Sequence, residues 1–346
     1  MKSFVCLRKL QQGDKVAILS PSFAAPGEWP QVYELGLSRL RQDFGLEPVE
    51  FPTTRKVGAS KQERSKDLIA AFEDQEIKGV ITSIGGDDQV TYVKDLPPGP
   101  FVHNPKPFFG FSDNTHFMNF LWLQGVPSYY GAALFTQFAE QSSMHAFTLK
   151  YLRFALFQAG ELELEASDQY NDVDLDWYDP GNLAKERSYQ PNEAWYWEGD
   201  RDAEGITWGG TLESIDEILR HGVAIPALED FERIILITET SEEIPSHDYV
   251  FRVYRAFGER GILERVQAIL VGRPKAWGFD QQSDEPAKAN YRQQQRETIL
   301  EVVRRYNPYV SIVQNLDFGH TDPQIPIPYG LPARLDCKTK KIFAEF

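Results

Sequence analysis

Three polar residues stand where chemistry could be carried out. Ser112 lies in Pro107-Phe-Phe-Gly-Phe-Ser-Asp-Asn-Thr115, where an apolar run ends at Phe111 and Phe117, Phe120, Leu121 and Leu123 then recur at helical spacing up to Gly125. Glu239 closes the apolar run Arg233-Ile-Ile-Leu-Ile-Thr-Glu239, and His320 stands in Asn315-Leu-Asp-Phe-Gly-His320-Thr-Asp-Pro, a loop bounded by glycine and proline. A serine hydroxyl is a poor nucleophile until a histidine takes its proton, and the imidazolium then needs a carboxylate to orient and stabilise it. Ser112, Glu239 and His320 could supply all three parts of an acyl-transfer site.

Each residue also has a plainer reading. Ser112 can open a Ser-Asp-Asn-Thr helix cap, since serine accepts well from the first free amides of a helix. The stretch only partly matches a Gly-x-Ser-x-Gly turn, because Asn114 replaces the second glycine. Glu239 can be the solvated first residue of a loop that continues to Glu242-Glu243, and a lone histidine is more often structural than catalytic. His103 and His145 sit among polar loop residues, and His116, His221 and His247 near helix termini, so none of these has the context of His320.

The elements that must hold these residues alternate along the chain. Val16 to Leu19 reads as a strand; Pro30 opens a helix through Val32, Leu35 and Leu40 to Gly45. Ser60-Lys-Gln-Glu63 is a capping box before a helix through Leu68, Ile69 and Phe72. Gly79-Val-Ile-Thr-Ser-Ile84 is a buried strand ending in Gly85-Gly86-Asp87-Asp88. After the Ser112 turn come a strand-like Tyr129 to Leu134 and a helix with Phe147, Leu149, Leu152 and Leu156. Such repetition predicts a parallel sheet with helices on both faces. Ligands bind beyond the carboxyl ends of such strands, where Ser20-Pro-Ser22, Gly85 to Asp88 and Gly110 to Thr115 all lie. Gly85-Gly86 is either a tight turn or a bare backbone amide offered to an oxyanion; no phosphate-loop or Gly-x-Gly-x-x-Gly pattern accompanies it.

From about Gly160 to Asp202 the chain is rich in Asp, Glu, Tyr, Trp and Asn, with little apolar periodicity. That predicts an ordered connecting segment rather than a sheet, and divides the chain into 1–159, 160–204 and 205–346. Trp177, Trp195 and Trp197 there can cover a core edge or offer stacking faces beside a cleft. The last part carries a helix from Thr211 to Gly222, strands at Val266 to Val271 and Val310 to Val313, a largely exposed helix from Tyr291 to Arg304, a proline-rich loop after His320 and a hairpin from Leu331 to Phe346.

Bulk properties bound the function. With 346 residues and 42% hydrophobic content the chain can bury substantial cores, and 36 basic against 51 acidic residues give a net charge of -15, unfavourable for nucleic-acid polymers and anionic lipid. The amino-terminal residues lack the uninterrupted apolar core of a signal peptide, and no apolar run reaches membrane-spanning length. Cys6 and Cys337 form no metal-type spacing and fit a reduced compartment, so the expected location is cytoplasmic.

Gly85-Gly86-Asp87-Asp88, Gly110-Phe-Ser112-Asp-Asn-Thr115, Trp208-Gly-Gly-Thr-Leu-Glu213, Ile237-Thr-Glu239 and Phe318-Gly-His320-Thr-Asp together resemble the ordered motifs of the LD-carboxypeptidases, including the microcin C immunity peptidases. The resemblance spans nearly the whole chain. It implies an α/β protein with an amino-terminal parallel sheet of flavodoxin-like or glutamine-amidotransferase-like type, a second α/β domain, and a site between them. It also implies a serine peptidase needing no metal or other cofactor, and usually a homodimer. Ser112, Glu239 and His320 fall on its triad positions, and the amides of Gly86 and Asp113 on its oxyanion hole. Asp87, Trp195 and Trp208 are candidate substrate-binding residues; Pro191-Asn-Glu-Ala-Trp195 resembles the immunity branch, where a tryptophan stacks on a nucleotide base. The implied substrates are a peptidyl or aminoacyl nucleotide, or a muropeptide tetrapeptide losing its terminal D-amino acid. Two other classes remain: an esterase of α/β-hydrolase type, which shares the chain order serine, acid, histidine but places all three on one sheet, and a non-enzymatic ligand-binding protein.

Overall fold

A computed structural model describes residues 3–346. Two sheets organise the chain. The first takes β1 (Lys15–Leu19), β2 (Glu47–Glu50), β3 (Ile77–Thr82), β4 (Phe108–Gly110) and β5 (Ser128–Tyr130), all parallel. β3 is buried along nearly its whole length, as a strand covered by helices on both faces must be. The covering helices begin where local chemistry allows. Pro30–Gln42 has proline in its first turn, and in Lys61–Glu73 the Ser60 hydroxyl and Glu63 carboxylate satisfy each other's free amides.

The second sheet is mixed and draws on β6 (Glu161–Leu164), β9 (Tyr196–Glu198), β10 (Ala203–Thr211), β11 (Ile234–Glu239), β12 (Ala268–Gly272), β13 (Ser311–Leu316), β15 (Pro332–Asp336) and β16 (Lys341–Glu345). Its middle four, β10 to β13, run parallel in sequence order. β15 and β16 form the expected hairpin beside β10. Between β6 and β9 lies a separate short pair, β7 (Gln169–Tyr170) with β8 (Gln190–Pro191).

Three readings of the sequence need correction. The segment 160–202 contributes sheet at both ends, because β6 pairs with β16 and β9 with β13. Its middle is ordered by charge: Asp172 is buried between Lys288 Nζ at 2.9 Å and an Arg292 guanidinium nitrogen at 3.3 Å, and Arg187 pairs with Asp322. Ion pairs leave no hydrophobic period to read. The strand after Val126 stops at Tyr130 rather than Leu134, since Gly131 and Ala132 both turn to positive φ. Finally, the proline-rich loop contains β14 (Ile327–Tyr329), which returns to the first sheet and pairs antiparallel with β5. Proline is tolerated there because β14 is an edge strand.

The halves meet along helix Thr115–Leu123, which is buried on almost every side. One face covers the first sheet; from the other, Asn119 Nδ2 donates to Gly209 O at 3.4 Å and Trp122 Nε1 to Thr207 O at 3.2 Å, both on β10.

Candidate active site

Ser112 sits where β4 ends and the chain reverses into helix Thr115–Leu123. Its φ is +62°, a left-handed conformation that L-residues adopt only when their surroundings enforce it. The opposing loop makes room: a Cβ on Gly85 would lie 2.7 Å from Ser112 Cβ. Asn114 braces the turn, with Nδ2 donating to Phe111 O at 2.9 Å and Ile84 O at 3.2 Å and Oδ1 accepting from Gln89 Nε2 at 2.8 Å. The missing second glycine is therefore a tether between the serine turn and the Gly85 to Gln89 loop. Asp113 ties the same two segments from its carboxylate, which accepts from the amides of Asp88 at 3.2 Å and Gln89 at 3.0 Å. Burial lifts Asp113 above its ordinary range, while His116 and these donors pull the other way. No side chain caps helix Thr115–Leu123, so Ser112 is not acting as a helix cap.

Glu239 ends β11 and is wholly buried. Its Oε1 accepts from the Tyr130 hydroxyl and from Thr211 Oγ1, each at 2.5 Å, and its Oε2 lies 2.7 Å from His320 Nδ1. Burial alone would raise this carboxyl, but the facing imidazole and the hydrogen bonds hold it below its usual value. Gly319 must be glycine here: its φ is +96°, and a side chain would run into the Glu239 carboxylate.

The His320 ring lies edge-on to Phe111, with 4.9 Å between centroids, beside the serine turn. Its Nε2 faces Glu242 Oε2 at 3.2 Å. Burial would lower the imidazole, but Glu239 and then Glu242 outweigh it and raise it to about 9. Among the described residues the Ser112 hydroxyl makes no hydrogen bond, to His320 or otherwise. A cavity of about 460 Å³ opens over Ser112, lined by Gly86, Asp87, Asp113 and, from the second half, Thr211, Glu213 and Glu242 among others. Glu239 and His320 thus come from the second sheet and its loop, and Ser112 from the first, unlike the one-sheet placement an α/β-hydrolase would need.

The expected tryptophans fare differently. Trp208 is fully buried and packs edge-on against Phe231, so it cannot touch a ligand; its place on an inward face of β10 decides this. Trp195 does not line the cavity, and its Nε1 donates to Asp317 Oδ2 at 2.9 Å. Tyr130, Asn114, Glu213 and Glu242 were missed. Glu213 lay within a recognisable motif, but Tyr130 only closes an ordinary apolar strand, with nothing to signal its contact with Glu239.

Two family models match the chain, one in each half. The model for the LD-carboxypeptidase N-terminal domain matches residues 16–131, and that for the LD-carboxypeptidase C-terminal domain matches 204–335. The chain belongs to the LD-carboxypeptidase family. Among curated members of the family, it is 22% identical to the microcin C7 self-immunity protein MccF of Escherichia coli, covering 96% of this chain and 93% of that one. An MccF-like protein from Streptococcus pneumoniae, solved in complex with AMP, is 26% identical with a TM-score of 0.84, covering 96% and 98% of the two chains. MccF solved in complex with aspartyl sulfamoyl adenosine is 22% identical with a TM-score of 0.85, covering 99% and 98%. The two-domain α/β architecture is thus that of the family.

Proposed function

We propose that this LD-carboxypeptidase family member is a serine peptidase that hydrolyses a peptide or amide bond in an aminoacyl or peptidyl nucleotide of the microcin C type. In this reading Ser112 attacks the carbonyl carbon while His320 Nε2 takes the hydroxyl proton. Glu239 holds Nδ1-H and stabilises the imidazolium, and the amides of Gly86 and Asp113 receive the oxyanion. His320 then protonates the leaving nitrogen, and water, activated by the same ring, releases the acyl group from Ser112.

The observation that carries the reading is the 2.7 Å contact between His320 Nδ1 and Glu239 Oε2 beside a serine held at positive φ. In this reading the contact keeps a proton on Nδ1, and Nε2 becomes the base once it gives up the proton it shares with Glu242. The nucleotide preference rests on likeness to the AMP-bound Streptococcus pneumoniae protein. A second reading, removal of the terminal D-amino acid from muropeptide tetrapeptides, is favoured by one observation: Trp195 is tied to Asp317 and adds no stacking face to the cavity. A muropeptide has no purine to stack. Assaying the purified protein on aminoacyl sulfamoyl adenosines and on tetrapeptides separates the two, with fluorophosphonate labelling of Ser112 testing the nucleophile. Cleavage of neither substrate and no labelling would overturn both, leaving a ligand-binding protein. The homodimer and cytoplasmic location implied by the resemblance belong to the same reading, and sedimentation equilibrium tests the first.

A further inference from the structure

Ser112 and His320 come from different halves of the molecule, so the gap between them depends on how the halves are fastened. Tyr130 ties the acid Glu239 to the serine turn, through its contacts with Glu239 Oε1 and the Ser112 amide. The backbone that carries His320 needs a tie of its own. Gln324, four positions beyond the histidine, supplies one.

Gln324 is fully buried. Its Oε1 accepts from the Ala132 amide at 2.9 Å and its Nε2 donates to Gly319 O at 2.5 Å. One neighbour is an N–H and the other a carbonyl, so the two ends of the side-chain amide cannot be exchanged. Ala132 follows β5, and the adjoining Gly131 amide donates at 2.8 Å to the carbonyl of Gly110, two residues before Ser112. A hydrogen-bonded path therefore runs from the serine turn through Gly110, Gly131, Ala132 and Gln324 to Gly319, the residue before His320. Gln324 is the one side chain in that path. The backbone at the end of β5 fits the same purpose: Ala132 has a φ of +67°, which a residue with a Cβ adopts only under restraint, and a Cβ on Gly131 would lie 2.8 Å from Gln324 Oε1. Asp322 is a second anchor on the histidine loop. Its carboxylate pairs with Arg187 and accepts from Gln137 Nε2 of the first half at 3.4 Å, while its backbone exchanges hydrogen bonds with Asn171.

We infer that Gln324 is a positioning residue: its amide sets the His320 ring against Ser112 by fastening the histidine loop to the end of β5, with Asp322 as the second fastening. Gln324 does not line the cavity and acts only through the backbone on either side of it. The inference rests on the reading of Ser112 as nucleophile and His320 as base. Transfer of a proton between two such groups is sensitive to their placement, and a misplacement of about 1 Å costs about 100-fold in rate.

The test uses Gln324→Met, which keeps the length of the side chain and removes both hydrogen bonds. Labelling of Ser112 by a fluorophosphonate is followed over a range of probe concentrations, so that the maximal rate kinact separates from the binding constant KI. Gln324→Met should lower kinact about 10- to 100-fold and leave KI unchanged, since the residue lies outside the cavity wall. A crystal structure of the variant should show His320 still paired with Glu239 but displaced from its 4.9 Å centroid separation from Phe111. If that variant does not fold, Asp322→Asn, which loses the ion pair with Arg187 and keeps an acceptor for Gln137, should lower kinact several-fold and displace the ring in the same way. A displaced ring in the variant with no labelling of the wild type counts against the peptidase reading and not against the tether. Unchanged kinact, a change in KI alone, or an unmoved ring overturns the inference.

Discussion

The Tyr130 hydroxyl donates to Glu239 Oε1 at 2.5 Å and lies 3.4 Å from the Ser112 amide, so one phenol joins the end of β5, the acid of the second sheet and the backbone of the serine turn. Burial, and then Glu239, push its ionisation well above the ordinary tyrosine value, so it stays a donor. Tyr130→Phe removes a hydrogen bond to a charged, buried group, worth about 1.5 to 3 kcal/mol. A thermal melt should show that loss, and kcat should fall about 10- to 100-fold. Unchanged melting and turnover would mean that Thr211 alone satisfies Oε1.

Ser112→Ala should lower kcat by roughly four to six orders of magnitude with little change in melting, since one small hydroxyl is lost at a half-buried turn. Ser112→Gly should be equally inactive yet more stable than Ser112→Ala by about 1 kcal/mol, because glycine adopts φ of +62° without penalty. Comparing the two melts tests the strain independently of the chemistry.

Asn114→Gly would complete a Gly-x-Ser-x-Gly pattern, and is nevertheless expected to be harmful. It removes donors to Phe111 O and Ile84 O and the acceptor for Gln89. A loss of about 2 kcal/mol or more and a lower kcat are expected, from chemical unfolding and steady-state assay. A more stable variant would show that the tether has no structural value.

A histidine lifted to about 9 is protonated at neutral pH and cannot serve as base until it loses that proton. The kcat/KM of the wild type should therefore rise with pH toward about 9. Glu242→Gln removes the second-ranked charge facing the ring, and should move the rise to lower pH. The same shift has a stability sign. Because the folded value lies above the ordinary histidine value of about 6.5, the His320 contribution is fully present below that pH and is lost between there and about 9. Melting temperatures across this interval should fall less steeply in Glu242→Gln than in the wild type.

The amino-acid sequence by itself determined the alternation of strands and helices, the capping box at Ser60, the turn at Ser112, the acid at the end of β11 and the histidine in a glycine-bounded loop. These are local features: apolar period, caps and turn residues act over a few positions and are legible there. The tertiary structure alone decided what those residues face. The contact of Tyr130 with Glu239 spans 109 positions, and the segment 160–202 is ordered partly by ion pairs across more than 100, such as Asp172 with Lys288. Trp208 and Glu213, five residues apart in one motif, ended as core and cavity wall. Glu242 was one acid in a charged run until the fold placed His320 against it. Which faces of two sheets meet depends on packing between distant segments, and no local period records it.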